Sequence, residues 1–268
     1  MSISSTLVRG ADIRFHEAAG ALRPFVGCFW VVTAERGATL RLVPDGTTAI
    51  AIRLQGDQPT EWVLRGPLIG PQERRFAAPA KLVGIRLRPG VAFLLSGTPA
   101  HTAVGRRIAL RKLKPFAGLV ADPLRPCTPE RCIDVLQRFL LRRLEDATVH
   151  PVVAAALCTI EQAHGGVRVS DLATRCNVSA RHLHRLMTHW VGFGPKRYAS
   201  IIRFQATLHG IEDAPAKTPA ALASDNGFFD QAHLSLDLGR FASETPSRLA
   251  ATGVADFSKT RCEDVPEV

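Results

Sequence analysis

Three side chains that can contact nucleic-acid bases follow one another at helical spacing between residues 180 and 191. Arg181, His184 and Arg185 occupy positions i, i+3 and i+4, so they share one face of a helix. Arginine can donate two parallel hydrogen bonds to guanine O6 and N7, and histidine can donate or accept at a base edge. Leu183 and Met187 lie on the opposite, apolar face. The pattern predicts an amphipathic helix for the major groove; for an isolated helix, the alternative is a solvated polar face.

The residues around this stripe predict a helix-turn-helix. Leu172 and Ala173 are the inward residues of a short preceding helix, and residues 176–178 form a tight turn in which Asn177 can adopt the left-handed conformation. Ser179 then caps the helix that carries the stripe. Two short helices joined by a tight turn are typical of a DNA-binding unit.

The same pattern returns about 50 residues later. Thr218 and Pro219 open a short helix, residues 226–228 form the turn, and Asp230 caps a helix from Gln231 to Phe241. A longer helix, opened by Gly194 and Pro195 and continuing to Ile211, joins the two units. Two such units can reach successive major grooves, about 34 Å apart.

Residues 150–250 resemble the DNA-binding domain of the AraC-type transcriptional regulators. The resemblance is carried by the segments SARHLHRLM, GFGPKRYASIIRFQATL and GFFDQAHLSLDLGRFASETP. It implies a transcription factor that binds double-stranded DNA through two recognition helices. Transferred by position, the residues expected at base edges are Arg181, His184 and Arg185 in the first unit and Gln231, Ala232, Ser235 and Leu236 in the second. Lys196 and Arg197 lie near a helix N-terminus that could face phosphate.

The second unit departs from the family pattern. Leu236 stands where the family usually has Arg, Gly239 where a basic residue is usual, and Leu238 where an aromatic is usual. Ser243 replaces the usual Gly before the closing Thr-Pro. Leucine can contact only a thymine methyl group. We therefore expect the first unit to supply most of the sequence specificity and the second to supply mainly backbone contacts.

The first half of the chain predicts a small antiparallel sheet or open barrel. A short helix is predicted from Pro89 to Ser96 and a connecting loop from Lys114 to Pro129. Trp30 and Trp62 are expected in the core of the sheet, with a ligand pocket as the alternative. The predicted strands are 28–32, 39–43, 47–54, 61–65 and 82–88. This half resembles, less specifically, an N-terminal domain found before the DNA-binding module in many regulators, which implies a sensory or dimerising role.

The fold class expected is therefore α+β, with an all-α double helix-turn-helix domain at the C-terminal end. Residues 1–128 are predicted to form the β-rich effector-binding or dimerisation domain, and residues 129–148 a bridging helix. The DNA-binding domain is placed at 149–252 and a C-terminal tail at 253–268.

Composition and charge agree with this class. The 268 residues carry a net charge of +10, which suggests an anionic partner. The excess lies in the first half, because residues 1–148 hold 22 Lys and Arg against 12 Asp and Glu. No apolar stretch reaches the roughly 20 residues of a membrane span, and no secretory signal is evident. Six scattered cysteines favour reduced thiols and a cytoplasmic protein.

The sequence lacks the motifs of common catalytic sites, such as a P-loop, a nucleophile elbow or a zinc-protease pair. We therefore expect no enzyme activity, no cofactor and no metal. His182 and His184 face apart on a helix, and Cys127 and Cys132 lack further ligands at zinc spacing. The expected partners are double-stranded DNA, a small-molecule effector in the N-terminal domain, a second copy of the chain and RNA polymerase, and no membrane. The alternatives are a protein-interaction adaptor with a degenerate helix-turn-helix pair and an enzyme that turns over the effector.

Overall fold

The computed structural model describes residues 6–249 except 19, 57, 78, 122–126 and 247. Within these residues, the N-terminal half contains two antiparallel sheets of three and six strands. The nine strands are β1 Thr6–Arg9, β2 Asp12–His16, β3 Val26–Ala34, β4 Ala38–Leu42, β5 Thr48–Gln55, β6 Gln58–Arg65, β7 Gln72–Phe76, β8 Ala80–Leu87 and β9 Arg107–Ala109.

The larger sheet has the strand order β2-β3-β8-β5-β6-β9 and is covered on one face by helices. Alternate residues of its central strands, such as Ile50, Ile52, Val83 and Ile85, point to that face and are fully buried. Three helices contribute to the same core: α1 Val91–Ser96, α2 Ala117–Ala121 and α3 Pro129–Leu144. The predicted bridging helix therefore packs its apolar face on the N-terminal core.

The smaller sheet, in the order β1-β4-β7, lies over the other face of the larger one. Leu40 of β4 packs with Val32 and Leu82, and Phe76 of β7 borders the same cluster. Between the two sheets lies a cavity of about 220 Å³ that is partly open to solvent. Trp62 is part of the helix-covered core, as expected, whereas Trp30 lines this cavity.

Several expectations for this half were wrong in detail. Strands β1, β2, β7 and β9 were not predicted, because they are short or carry charged residues. Part of the predicted loop from Lys114 to Pro129 is helical, since Lys114–Phe116 form a 3₁₀ turn and α2 follows it. Cys127 and Cys132 form a disulfide, contrary to the reduced thiols expected for them. Four residues lie between them along the chain, and the start of α3 brings the second thiol back to the first.

The C-terminal half is helical, which confirms the α+β class. Its six full helices are α4 Pro151–Gln162, α5 Val169–Arg175, α6 Ala180–Val191, α7 Pro195–Asp213, α8 Pro219–Asp225 and α9 Gln231–Ala242. Tyr198, Ile201 and Phe204 of α7 are fully buried at the centre of one core shared by these helices. The predicted tail, 253–268, lies outside the described residues. No described helix is long and apolar enough to cross a membrane.

The two halves contact each other through polar and apolar groups. Arg41 of β4 pairs with Glu244 at 2.6 Å and also donates to the carbonyl of Ala242. The Gln205 side chain of α7 donates to the Pro44 carbonyl at 2.6 Å, in the loop that follows β4. Gly46 of this loop lies against the Tyr198 ring, where a Cβ would come within 2.6 Å. The β4–β5 loop is therefore packed directly on the long helix of the C-terminal half.

Candidate nucleic-acid interface

The C-terminal half contains two helix-turn-helix units with the same local geometry. Helices α5 and α8 have seven residues each, and α6 and α9 have twelve each. In the turns, Asn177 and Gly227 both adopt positive φ, at 52° and 67°. The following residues close each turn in the same way, since the amides of Val178 and Phe228 donate to the carbonyls of Ala173 and Ala223.

The start of each second helix is capped by a side chain, as the sequence predicted. Ser179 Oγ accepts the amide of His182 at 3.2 Å, and Asp230 Oδ1 accepts the amide of His233 at 2.7 Å. Each cap satisfies an amide that has no partner within its own helix. The caps and turns together set the direction in which α6 and α9 leave the first helix of each unit.

Arg181, His184 and Arg185 are exposed together on one face of α6. The opposite face, with Leu183 and Met187, is fully buried in the core. An Arg185 guanidinium nitrogen lies 3.1 Å from Nδ1 of His182. The His184 ring lies over Gly194, where a Cβ would come within 2.5 Å. The side chains of the predicted stripe are therefore available to a ligand on the outside of the helix.

The C-terminal end of α6 packs on the N-terminal half. The ring of Phe93 in α1 lies 4.6 Å from those of His189 and Trp190. The 3₁₀ turn Ala100–Ala103 also contacts α6, and His101 shares a shallow groove with the predicted stripe. Helix α6 is therefore held by the N-terminal domain at one end and exposed along its outer face.

The second unit presents a different face. Gln231, Ala232 and Ser235 are exposed on α9, but the position equivalent to Arg185 is Leu236, which is 70 % exposed. Phe229, in the turn before α9, is 92 % exposed. This outer surface is largely apolar and carries no charged side chain at the three positions where α6 carries Arg181, His184 and Arg185.

A buried carboxylate lies behind this face. Asp237 is 7 % exposed, and its Oδ2 has no hydrogen-bond partner among the described residues. Burial raises the pKa of Asp237, against the smaller opposing effects of His233 and Arg203. The equivalent position in the first unit is Leu186. An ionised Asp237 therefore costs the second unit free energy of folding.

The two basic residues at the start of α7 are placed differently. Lys196 is exposed. Arg197 donates to the carbonyl of Ile69 in the N-terminal half at 2.7 Å, and its guanidinium lies 5.3 Å from the centre of the Phe241 ring. In this arrangement Arg197 joins the two halves.

Two contacts that position the units were not predicted from the sequence. Arg203 of α7 donates to the Gly227 carbonyl at 3.1 Å and stacks over Phe228 at 5.1 Å, so it supports the turn of the second unit. The buried Tyr198 hydroxyl donates to Glu161 Oε1 at 2.6 Å. Burial and the adjacent Glu161 raise the pKa of Tyr198 well above its usual value. No local spacing signals either contact, because each joins separate helices.

The structure also bears on the metal alternatives. In the described part of the chain, no group of three or more His, Cys, Asp and Glu is arranged to hold a metal ion.

Comparison with known proteins agrees with this organisation. Residues 172–252 match a family described as a helix-turn-helix domain, and residues 14–109 match a domain of unknown function (DUF6597). No curated protein sequence matches the chain.

Two solved structures are similar at low sequence identity. The C-terminal domain of AraT, a response regulator from Geobacillus stearothermophilus, is 18 % identical and covers 39 % of this chain and 87 % of its own, with a TM-score of 0.37. ToxT from Vibrio cholerae is 9 % identical and covers 92 % of this chain and 98 % of its own, with a TM-score of 0.42.

The repeated units and the family match lead to one assignment. The C-terminal half therefore carries a helix-turn-helix domain, and the β-rich domain before it matches a family of unknown function.

Proposed function

We propose that the chain is a sequence-specific regulator in which α6 reads base edges in the major groove. The observation that carries the proposal is the exposed stripe of Arg181, His184 and Arg185, set on a capped helix whose other face is buried. Guanidinium groups on such a helix can make bidentate contacts with guanine, each worth roughly 1–3 kcal/mol of discrimination. The neighbouring His184 can donate to or accept from the next base.

In this proposal the second unit contributes mainly backbone contacts. Gln231, Ala232 and Ser235 are short or uncharged, and the amide ends of α9 can face phosphate. Lys196 adds a phosphate contact between the units. Arg197 can do so only by releasing its bond to the Ile69 carbonyl. The second unit therefore adds affinity and register more than sequence information.

The test compares two exposed arginines on a DNA site selected from random duplexes. Arg185→Ala should cost about 1–3 kcal/mol on the selected site and relax base preference at one position. Arg138→Ala, on the outer face of α3, is the matched control and should change neither quantity. Binding is measured on the selected and on a scrambled duplex. Equal losses on both duplexes for Arg185→Ala would make Arg185 a phosphate contact and contradict its proposed role.

A second function is favoured by one specific observation. Two apolar side chains are exposed in the second unit, Phe229 in the turn before α9 and Leu236 on the face of α9 where a DNA reader would carry polar groups. Such side chains suit a protein partner in an adaptor that no longer reads DNA. An adaptor would show no DNA affinity, and its partner binding would be largely independent of salt. A regulator would bind duplex DNA with a steep salt dependence.

The remaining partners come from the family resemblance. A small-molecule effector in the N-terminal domain, self-association of the chain and contact with RNA polymerase stay predictions. An effector can change DNA binding only if it binds the DNA-competent arrangement of the two halves with a different affinity.

A further inference from the structure

The cavity between the two sheets of the N-terminal domain has walls of two kinds. Because side chains alternate along a strand, one face of the larger sheet packs on helices and the other faces the cavity. Ile50 and Ile52 of β5 lie in the helix-covered core, whereas Ala49, Ala51 and Arg53 line the cavity. The smaller sheet closes it from the other side.

One wall is apolar and built around a tryptophan. Trp30 of β3 is paired with Gly84 of β8, and a Cβ at Gly84 would come within 2.1 Å of the indole. The glycine therefore lets the ring lie flat across the neighbouring strand. Phe15, Val32, Phe76 and Leu82 extend this surface. The wall can hold a flat or short apolar group.

The rest of the lining is strongly cationic. Six arginines from five strands contribute to the lining: Arg53, Arg65, Arg74, Arg75, Arg86 and Arg107. One of them, Arg75, has a side chain that is 84 % exposed. Three of them pair with carboxylates, since Arg75 lies 2.8 Å from Glu73, Arg86 3.6 Å from Asp45 and Arg107 3.0 Å from Glu61. In the described part of the chain, no carboxylate lies within 4.0 Å of Arg53, Arg65 or Arg74.

The arginines around the cavity repel one another and are partly buried, which is electrostatically unfavourable. Burial lowers the pKa of Arg65; Asp45 opposes this, and Arg86, Arg74 and Arg107 add to it. Burial and the charge of Arg107 also lower the pKa of Arg74. Arginine stays charged despite such shifts, so the cavity holds like charges close together and partly out of water. This surplus accounts for part of the positive charge in the first half of the chain, which the DNA-binding domain does not explain.

We propose that this cavity binds a small organic carboxylate with an apolar body, the carboxylate held by Arg65 and its neighbouring arginines and the body lying on Trp30. Arginine forks match the planar carboxylate group, and the apolar wall excludes a fully hydrated anion. A volume of about 220 Å³ lies below the ~300–1,000 Å³ of pockets for drug-sized ligands, so the ligand is a single-ring or short-chain acid.

A purely structural role does not account for the same arrangement. Arginines with a purely structural role would be matched by carboxylates, as Arg107 of β9 is by Glu61 of the adjacent strand β6. A site for DNA phosphate would lie on the outer surface, not between the sheets. The combination of surplus guanidinium groups and a tryptophan wall is what an amphipathic anion requires.

The first test uses the wild-type full chain and three carboxylates: benzoate, cinnamate and hexanoate. Binding is followed by calorimetry and by tryptophan fluorescence, because Trp30 lines the cavity. The matched neutral ligands are benzamide, cinnamamide and hexanamide. At least one carboxylate should bind at least tenfold more tightly than its amide. The proposal is overturned if all three carboxylates fail to bind at millimolar concentration, if the amides bind equally well, or if inorganic phosphate binds as tightly as the best carboxylate.

The second test assigns the binding to the cavity. Arg65→Gln and, from the smaller sheet, Arg74→Gln should each weaken carboxylate binding at least tenfold and leave the thermal midpoint near that of the wild type. Arg111→Gln, at an exposed arginine outside the cavity, is the control and should leave binding unchanged. Equal binding by all three variants would place the ligand elsewhere and contradict the proposal. If Arg65→Gln does not fold, Arg74→Gln and the amide comparison decide. All these measurements are made without DNA, so their outcome is independent of the proposed DNA reading.

Discussion

The first and second helix-turn-helix units have nearly the same backbone and very different outer faces. Their helices have equal lengths, their turns use positive φ at the same place, and both are capped by a side-chain oxygen. The exposed residues at equivalent positions differ, however. The first unit has Arg181, His184 and Arg185, and the second has Ala232, Ser235 and Leu236. Caps, turns and buried leucines are therefore enough to fix the unit, and the exposed face is free to change its chemistry.

The largest expected effect is a loss of folding stability in two core variants, which test whether the two units are packed alike. Leu183 and Leu234 are equivalent and fully buried. Leu183→Ala and Leu234→Ala should each lower the free energy of unfolding by about 2–5 kcal/mol, because each leaves a cavity in the shared core. Chemical denaturation of both variants measures this. A loss below about 1 kcal/mol in only one of them would show that the second unit is not packed like the first.

The next largest effect is a change in the salt dependence of DNA binding, which tests the difference between the outer faces of α6 and α9. Leu236→Arg restores a cation at the position equivalent to Arg185. If α9 lies against DNA, the variant should add about one phosphate contact, which steepens the slope of log K against log salt by about 0.9. Leu141→Arg, on the exposed side of α3, is the matched control. Equal slopes for Leu236→Arg and the wild type would indicate that α9 does not approach DNA.

The smallest effect concerns the buried carboxylate behind α9. Asp237→Leu should raise the free energy of unfolding by about 1 kcal/mol at pH 8, because it removes a buried acceptor without a partner. The pKa of Asp237 is raised in the folded state. The loss of folding stability caused by the ionised carboxylate is therefore fully present above that folded pKa. The difference between variant and wild type should therefore shrink as pH falls through the folded value toward that of the unfolded chain.

Asp237→Asn separates the charge from the shape of the side chain. It removes the ionisation but keeps a polar group of similar size, so it should abolish the same part of the pH dependence. A pH dependence that persists in both variants would assign it to another group.

The helical half could be predicted closely because its signals are local. Apolar residues at helical spacing, the caps Ser179 and Asp230, and the turn residues Asn177 and Gly227 each act within a few positions of the chain. The exposed stripe of α6 follows from the same spacing. The spacing does not predict the contact of α6 with the N-terminal half. It also does not predict the hydrogen bond from Arg197 to the carbonyl of Ile69.

The N-terminal half was predicted less completely because its organisation is non-local. The strand patterns of β5 and β8 were recognisable in the sequence. Strand β7 was not, because its sequence QERRF is rich in charged residues, as is typical of a loop. Its pairing with β4 creates the second sheet. The cavity then depends on six arginines that are distant in sequence and meet only when both sheets have formed. Trp30 was expected in the core of the sheet, with a ligand pocket as the alternative, and the charged wall opposite it was not predicted.

We propose that one unit reads the base sequence and that the other mainly positions the protein on DNA. The decisive measurement is a selection of randomised duplex DNA by the purified full-length chain at two salt concentrations. We expect a single enriched cluster of bases, read by α6, with affinity falling steeply as salt rises. Two equally enriched clusters about one helical turn apart, or no enrichment at either salt concentration, would contradict it.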